Sequence, residues 1–307
     1  MLRKHVYFES YGCPSNKFDM EVMMASLKVS GHVVTESPKT ADILVINTCG
    51  VKKTTEDKIL DRLRSLRSLY KPIIVTGCLP KIDPDEVTRA VPDYLAMLDP
   101  FSIDKISTVI DGYESGKLNQ HFFSREARVK VEMPRLLRSQ VSEIVPISEG
   151  CLGECTFCCT RFARGSLFSY PLETIVERVR EHVHDGTMEI WLTAQDTGVY
   201  GLDCNLDLAS LLEEICKVRG EFYLRVGMMN PNNIQQILDR LVRTYKSKKV
   251  FKFLHAPVQS GSDSVLKLMN RFYTVSDFRR IADTFRRAIP DLSLATDIIC
   301  GFPGEDE

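Results

Sequence analysis

Three short apolar runs in the first third of the chain each end at a cysteine. They extend from Val6 to Cys13, from Ile43 to Cys49 and from Ile73 to Cys78. The second and third runs are rich in β-branched residues and almost continuously apolar, which is typical of parallel strands buried on both faces. This pattern constrains the chain to a parallel sheet, because few other folds use consecutive buried strands of this kind.

Amphipathic helices are predicted between these strands. Two apolar series recur at helical spacing, namely Phe18, Val22, Ala25, Val29 and Ile59, Leu63, Leu66, Tyr70. A third helix is predicted to begin at Asp83, where an N-cap acid is followed by Pro84 and Glu86. A short strand is expected from Tyr94 to Leu98. The first 111 residues are therefore predicted to form an α/β domain with a doubly wound parallel sheet.

Ligand sites of a doubly wound sheet form beyond the carboxyl ends of its strands. Cys13, Cys49 and Cys78 lie at these ends, 36 and 29 residues apart, and we expect them to converge on one crevice. We call them the N-terminal triplet. Three thiolates leave one position of a tetrahedral metal site open. The pattern predicts an open metal or cluster site, although three separately buried thiols would also fit these positions.

Strands and helices alternate again after residues 112–140, a segment of mixed charge that we interpret as a connector. The predicted strands are Ile144–Ser148, Glu189–Ala194, Phe222–Val226, Val250–Leu254 and Leu292–Cys300. The predicted helices are Leu172–His184, Leu206–Val218, Asn232–Tyr245 and Ser276–Ala288. Five βα-type units in residues 141–307 predict a partial (β/α) barrel with its active face at the carboxyl ends of the strands. Because the chain stops after the fifth strand, we expect a truncated barrel.

The first predicted barrel strand runs into three cysteines with the spacing C-x3-C-x2-C. These are Cys151, Cys155 and Cys158, which we call the barrel triplet. On one loop, three thiolates with this spacing can ligate three irons of a cubane cluster and leave the fourth iron open. A zinc knuckle is the alternative, but only the adjacent Cys159 offers a fourth ligand. The sequence therefore favours an iron–sulfur cluster at the active rim of the barrel.

Composition narrows the class of protein. Lys and Arg number 40 and Asp and Glu 41, for a formal net charge of −1, which excludes a chain-wide cationic coat for nucleic acid but not a local basic patch. No apolar run approaches the ~18 residues of a membrane span. Ten cysteines in 307 residues are too few for a disulfide scaffold. We predict a soluble, cytoplasmic protein whose clustered thiols bind metal.

The barrel triplet, with the aromatic Phe157 before its last cysteine, resembles the radical S-adenosylmethionine (SAM) superfamily. Together with the N-terminal triplet it resembles the methylthiotransferases. The chain is similar to the archaeal and eukaryotic tRNA threonylcarbamoyladenosine methylthiotransferases, through the segments ESYGCPSNKFD, INTCGV, GCLGECTFC, RFARGSLFSYP, LTAQDTGVYG, RVGMMNP, HAPVQSGSDSVL and ATDIICGFPGE. Members of that family continue into a last barrel unit and a C-terminal TRAM domain, and we expect both to be absent here.

The resemblance implies two four-iron four-sulfur (4Fe–4S) clusters and SAM as cofactors. The barrel triplet would hold the cluster whose open iron binds the amine and carboxylate of SAM. The N-terminal triplet would hold an auxiliary cluster whose open iron carries the sulfur to be donated. An aromatic C–H has no acidic proton for a general base, which is why the reaction requires radical chemistry. The implied reaction needs both open-site clusters to face one cavity.

The resemblance also implies which residues contact SAM, namely Phe157, Gln195, Asp196, Arg225, Gln259 and Ile299. Phe157 would pack near the adenine, and Gln195 and Asp196 follow the strand where the superfamily binds the amino end of SAM. Arg225 would meet the SAM carboxylate in a charge-assisted pair, with an internal salt bridge as the alternative. Gln259 would reach the ribose or the substrate, and Ile299 would form an apolar edge for adenine.

Four cations near the two triplets are predicted to contact RNA phosphates. They are Lys52, Lys53, Arg161 and Arg164, and such contacts would bind without base specificity. The other cysteines fit no ligand spacing. Cys204, Cys216 and Cys300 are interpreted as buried thiols.

The predicted function is transfer of a methylthio group to C2 of N6-threonylcarbamoyladenosine, next to the anticodon of tRNA. The partners are then tRNA and a reduced flavodoxin- or ferredoxin-type electron donor, with no membrane. A related enzyme acting on isopentenyladenosine tRNA or on a ribosomal-protein aspartate is one alternative. A non-catalytic zinc- or iron-binding RNA module is the other, and it predicts bound metal without turnover of SAM.

Overall fold

The computed structural model describes residues 3–136 and 141–306. These residues form two units by their mutual contacts. The first unit contains the described residues of Met1–Arg138 together with Cys159–Gly165, and the second contains those of Ser139–Cys158 and Ser166–Glu307. Within the described ranges, no helix combines the length and the apolar character needed to cross a bilayer.

The first unit is built on a parallel sheet, which has six strands among the residues described. They are β1 (His5–Ser10), β2 (Val33–Thr35), β3 (Ile43–Thr48), β4 (Ile73–Gly77), β5 (Ala96–Leu98) and β6 (Gln120–Phe122). The strand order is β2-β1-β3-β4-β5-β6, and every neighbouring pair is parallel. Strands β3, β4 and β5 are buried at every position, as their uninterrupted apolar sequences require. The predicted doubly wound sheet is confirmed.

Helices connect these strands and cover the sheet. They are α1 (Pro14–Val29), α2 (Lys53–Arg67), α3 (Leu79–Ile82), α4 (Pro84–Ala90), α5 (Ile106–Asp111) and, in the returning segment, α6 (Thr160–Arg164). One stripe of α2 is buried against the strands, formed by Ile59, Leu60, Leu63 and Leu66. At the start of α4 the Asp83 carboxylate accepts from the Glu86 N–H at 3.0 Å, as its capping sequence predicts.

The segment predicted as a connector, 112–140, differs from that prediction. Its β6 pairs with β5 as the edge strand of the first sheet, and Lys130 is 1% exposed with its Nζ 2.9 Å from Asp19 Oδ1. The mixed charge of the segment suggested an exposed connector. A lysine is expected at the surface unless a buried carboxylate partner is known. Residues 137–140 lie outside the described part of the chain.

The second unit contains short strands with helices between them. The strands are β7 (Ser142–Pro146), β8 (Ser148–Glu149), β9 (Phe168–Ser169), β10 (Glu189–Thr193), β11 (Tyr223–Val226), β12 (Phe253–His255) and β13 (Ser293–Ala295). Strands β11, β10 and β7 pair in parallel, as do β12 and β13, and a parallel bridge joins Leu224 to Val250. The pair β8–β9 is antiparallel. Parallel pairing with intervening helices is the arrangement of a (β/α) barrel.

The helices of the second unit lie close to their predicted positions. They are α7 (Leu172–His184), α8 (Leu208–Lys217), α9 (Pro231–Tyr245), α10 (Asp263–Leu268) and α11 (Val275–Ala288). The start of α11 carries a capping box between Thr274 and Asp277, which explains why its boundary was predictable. Two strands are shorter than predicted, since regular pairing within 250–254 begins only at Phe253 and within 292–300 ends at Ala295. Helix α10 was not predicted.

Gly77 fixes the distance between the carboxyl ends of β3 and β4. Its φ is +94°, and a Cβ at this position would lie 2.7 Å from the Thr48 nitrogen and even closer to the Thr48 carbonyl oxygen. Both distances are shorter than van der Waals contact allows. The next residue, Cys78, donates its N–H to the same carbonyl at 3.0 Å. A glycine is therefore required here, because only glycine combines this φ with so close an approach.

Gly77→Ala is expected to lower the free energy of unfolding of the first unit by about 2–5 kcal/mol, because left-handed strain and overpacking act together. Gly31→Ala is the matched control. Its φ is +84° with nothing within 4 Å of the added Cβ, so its cost should be about 1 kcal/mol. Urea denaturation of the apoprotein by circular dichroism measures both, while fluorescence of Trp191 reports the second unit. Equal losses in the two variants would contradict the steric argument.

Candidate cluster-binding sites

The N-terminal triplet lies at one edge of the first sheet. Cys13 follows β1 and is the N-cap of α1, Cys49 follows β3, and Cys78 follows β4 and is the N-cap of α3. All three cysteines are free thiols. Cys13 is exposed, whereas Cys49 and Cys78 are 7% and 4% exposed. The carboxyl edge of the sheet thus carries one accessible and two buried thiols.

Electrostatics shows that these thiols act on one another. Burial raises the pKa of Cys49, and it raises the pKa of Cys78 to about 11. The charge of Cys13 adds to the pKa of both, and the charge of Cys49 adds to that of Cys78. A Cβ on Gly12, the residue before Cys13, would lie 3.1 Å from the Sγ of Cys49. The loops that carry Cys13 and Cys49 therefore approach each other at this edge of the sheet, and a shared cluster site stays a prediction.

The side chain of Asn16 cross-links the loops that carry these thiols. Its Nδ2 donates to the carbonyl oxygens of Tyr11 and Thr48, both at 2.9 Å, and the main-chain carbonyl oxygen of Asn16 accepts from Asn47 Nδ2 at 2.6 Å. Its Oδ1 lies 3.9 Å from the Sγ of Cys78. Because Asn16 is 1% exposed, these bonds compete with no water and hold the loops after β1 and β3 in register.

Arg164 corrects the prediction that it contacts RNA phosphates. Its side chain is 1% exposed in the first unit, and its Nη2 lies 2.8 Å from Asp19 Oδ2 and 2.7 Å from Asn16 Oδ1. An RNA phosphate cannot reach a guanidinium that is buried in this way. The sequence could not show this, because burial of an arginine depends on a carboxylate 145 positions earlier in the chain.

The other predicted RNA contacts lie near the surface of the first unit. Lys52 is exposed at the N-cap of α2, and Arg161 is exposed on α6. Lys53 is exposed as well, and its ammonium lies 2.5 Å from Glu56 and 3.3 Å from Asp57 on its own helix.

The barrel triplet lies on the loop that leaves β8. Each of its cysteines is a partly exposed free thiol. Burial raises the pKa of Cys151 to about 11, with further contributions from the charges of Asp196, Cys155 and Cys158. The backbone N–H of Cys158 donates to the Cys155 carbonyl at 3.0 Å. The loop therefore turns back on itself and gathers its three thiols in one place.

A glycine separates two thiols of the barrel triplet. A Cβ on Gly153 would lie 3.4 and 3.6 Å from the Sγ atoms of Cys151 and Cys155. The glycine thus leaves the space between these thiols open.

Residues that follow α10 hold the barrel loop, and the sequence analysis missed them. Asn270 Nδ2 donates to the Glu154 carbonyl at 2.9 Å. Arg271 Nη1 lies 3.2 Å from the Sγ of Cys155, and its Nε donates to the Tyr273 hydroxyl at 3.1 Å. The positive φ of Asn270, 57°, marks a tight turn, but no spacing pattern links it to a loop more than 100 residues earlier.

Two residues predicted to contact SAM make internal hydrogen bonds. Gln195 Oε1 accepts from the Gly150 N–H at 2.7 Å and so holds the start of the barrel loop. Asp196 is 2% exposed. Its oxygens accept at 2.8–3.1 Å from Gly198 N, Asn230 N and Asn233 Nδ2. These bonds fix both side chains beside the barrel loop, and their contact with SAM stays a prediction.

The guanidinium of Arg225 lies between two aromatic rings on neighbouring strands. Its Cζ is 4.9 Å from the centroid of Trp191 and 5.2 Å from that of Phe253. Among the described residues no ion pair of this guanidinium is found, and its pairing with the carboxylate of SAM stays a prediction. Contact with two aromatic rings restrains a guanidinium through cation–π attraction.

The remaining predicted SAM contacts lie beyond the ends of strands or on the barrel loop. Gln259 has a φ of +69° and is 9% exposed, and its backbone pairs with Asp297 and Ile299, each at 2.9 Å. Strained, buried polar residues of this kind cluster at active sites. Ile299 is half-buried, and Phe157 is 36% exposed.

The cysteines outside the triplets differ from their interpretation as buried thiols. Cys204 and Cys300 are exposed, and Cys216 is half-buried. Cys159 donates its thiol to the Gly50 carbonyl at 2.8 Å within the first unit. Their sequence context contains too few apolar neighbours in strands to ensure burial, so spacing alone could not settle their environment.

Comparison with known proteins identifies both parts of the chain. Residues 5–98 match the family described as "Uncharacterized protein family UPF0004", and residues 145–307 match the "Radical SAM superfamily". The radical SAM methyltransferase TsrM from Kitasatospora setae shares the fold, with a TM-score of 0.67 at 14% identity over 98% of this chain and 68% of that one. The cobalamin-dependent radical SAM enzyme OxsB has a TM-score of 0.66 at 15% identity, covering 97% and 49% of the two chains. The predicted fold class is confirmed.

Similar curated proteins define the family. The probable threonylcarbamoyladenosine tRNA methylthiotransferase of Pyrococcus horikoshii is 47% identical over 98% of this chain and 71% of its own length. That of Methanocaldococcus jannaschii is 41% identical, over 98% and 70%. The threonylcarbamoyladenosine tRNA methylthiotransferase of Mus musculus is 36% identical, over 98% and 53%. The chain therefore belongs to the threonylcarbamoyladenosine tRNA methylthiotransferase family of the radical SAM superfamily.

Proposed function

We propose that this chain transfers a methylthio group to C2 of N6-threonylcarbamoyladenosine in tRNA. The observation that carries the proposal is the pair of cysteine triplets, one of free thiols at the carboxyl edge of the first sheet and one of free thiols on the loop after β8. When bound, two 4Fe–4S clusters and SAM supply the radical and the sulfur that replace an unactivated aromatic C–H bond. A single-cluster or zinc protein has no use for a second triplet.

The residues of the N-terminal triplet would hold the auxiliary cluster. In the apoprotein, burial keeps Cys49 and Cys78 protonated at neutral pH, because it raises the pKa of each thiol. Iron binds the thiolate, so these protons leave when the cluster is loaded. Asn16 and Gly77 hold the loops of the triplet in place before loading. The site is thus organised by the fold rather than by the metal.

The residues of the barrel would hold the second cluster and SAM. Gln195 and Arg271 fix the loop of the barrel triplet. Arg225, stacked between Trp191 and Phe253, would pair with the carboxylate of SAM through N–H groups that its own unit leaves unused. Gln259 would donate to or accept from the ribose or the substrate.

The partners follow from the chemistry. Lys52 and Arg161 are exposed cations that would contact tRNA phosphates. Cleavage of SAM consumes one electron per event, and a reduced flavodoxin- or ferredoxin-type protein would supply it. We place the reaction in the cytoplasm, where the tRNA substrate and such donors occur together.

Mass spectrometry of tRNA nucleosides tests the substrate. The anaerobically reconstituted protein, given SAM, sulfide and reductant, is expected to add one methylthio group to threonylcarbamoyladenosine in tRNA. Parallel reactions contain isopentenyladenosine tRNA or the ribosomal protein with its aspartate. Modification of either of these alone would assign the chain to the related reaction, and metal binding without 5′-deoxyadenosine would favour the RNA-binding module.

Single cysteine variants separate the two triplets. Cys155→Ala is expected to reduce iron from about eight to about four per chain and to abolish 5′-deoxyadenosine formation. Cys49→Ala should lose the same amount of iron, keep SAM cleavage and lose methylthio transfer. Cys204→Ala removes an exposed thiol outside both triplets and should change neither. Full methylthio transfer by Cys49→Ala would refute the role of the N-terminal triplet.

Arg225→Gln is expected to weaken SAM binding about tenfold or more, because a charge-assisted hydrogen bond is worth about 1.5–3 kcal/mol. Equilibrium binding of SAM to the reconstituted protein measures the effect. Arg243→Gln, which removes an exposed charge from α9 of the same unit, should leave SAM affinity unchanged. If Arg225→Gln lowers thermal stability but binds SAM like the unmodified protein, its role is packing only.

A further inference from the structure

Arg164 belongs to the segment that follows Cys158, yet its side chain is part of the N-terminal triplet's surroundings. Residues 159–165 pack in the first unit, and Arg164 is 1% exposed there. Its Nη2 lies 2.7 Å from Asn16 Oδ1, the atom that also lies 3.9 Å from Cys78 Sγ. One amide oxygen thus has both the guanidinium and a triplet thiol as neighbours.

The positive charge of Arg164 lies close to a buried triplet thiol. The guanidinium and the Sγ of Cys78 are neighbours of the same amide oxygen, at 2.7 and 3.9 Å, and Arg164 and Cys78 are 1% and 4% exposed. At such short range a buried positive charge stabilises nearby negative charge, because little water is present to screen it.

The buried carboxylate of Asp19 holds the guanidinium of Arg164 in place. Asp19 is 2% exposed, with Lys130 Nζ 2.9 Å from its Oδ1 and Arg164 Nη2 2.8 Å from its Oδ2. The carboxylate holds the guanidinium against the triplet, and it keeps Lys130 as a partner if Arg164 is replaced by a neutral residue. A neutral variant should therefore fold.

We propose that Arg164 is a positioning residue of the N-terminal triplet, whose buried positive charge raises the reduction potential of the cluster bound there and favours its retention. The inference rests on the proposed function, because it takes a 4Fe–4S cluster at this triplet as given. Buried charge and hydrogen bonds to the sulfurs are the means by which a protein sets the potential of such a cluster. Removing the positive charge makes addition of an electron to the cluster less favourable, and this lowers the reduction potential.

The test uses the full chain with the barrel triplet changed to alanine, so that only the N-terminal cluster contributes a signal. Arg164→Gln, Arg164→Lys and Lys17→Gln are compared in this background. Lys17 is exposed beside Asn16 and lies outside every site described above. Reductive titration with dithionite, followed by electron paramagnetic resonance, gives the midpoint potential, and iron analysis after gel filtration gives retention.

Arg164→Gln is expected to decrease the equilibrium constant for one-electron reduction at least about tenfold, a shift of about 59 mV to lower potential, and to lose iron faster. Arg164→Lys should keep most of the potential because it keeps the charge, and Lys17→Gln should match the parent. A parent-like potential and iron retention in Arg164→Gln would overturn the inference. So would equal losses of fold and iron in the Gln and Lys variants, which would indicate a structural role.

The outcome is distinguishable from failure of the proposed function. If Arg164→Gln in the otherwise unmodified chain still modifies tRNA but its N-terminal cluster has the parent potential, only this inference fails. If the parent with alanines in the barrel triplet binds no cluster at all, the N-terminal triplet is not a cluster site, and both proposals are overturned.

Discussion

The buried carboxamide of Asn16 is the contact on which the N-terminal triplet depends. It ties the residues that end β1 and β3 together through the carbonyls of Tyr11 and Thr48, and it lies against Cys78 after β4. Loops at a sheet edge are normally the most variable part of an α/β fold. Here, buried hydrogen bonds that water cannot replace make them rigid, so that three thiols distant in sequence have a fixed arrangement before any metal binds.

The barrel triplet is built differently. Its three cysteines lie close together in sequence, and their loop is only partly buried. Its geometry comes from groups outside the loop, chiefly Gln195 at its start and Arg271 at Cys155. A partly exposed loop of this kind suits a cluster that must exchange a small cofactor. The N-terminal triplet instead combines two buried thiols with the exposed Cys13, so the two sites differ in solvent access.

Prediction succeeded where a residue's role follows from local pattern. The runs ending at Cys49 and Cys78 became buried strands β3 and β4, and Asp83 capped α4. It failed where a polar residue is buried by a distant partner. Arg164 was assigned to RNA because charged residues beside a triplet usually face the site. In the structure its guanidinium instead contacts Asp19 and Asn16.

The sequence alone determined the chemistry: two thiol triplets, their place after strands, and the family to which they belong. These properties are local, because each strand pattern, helix cap or cysteine motif is encoded by residues close together in the sequence. Only the tertiary structure decided which cations are exposed and which are buried. Arg161 and Arg164 are three positions apart on α6, yet one is exposed and the other is 1% exposed. Burial of a charge is a free-energy balance between desolvation and its partners, and those partners are brought together only by the fold.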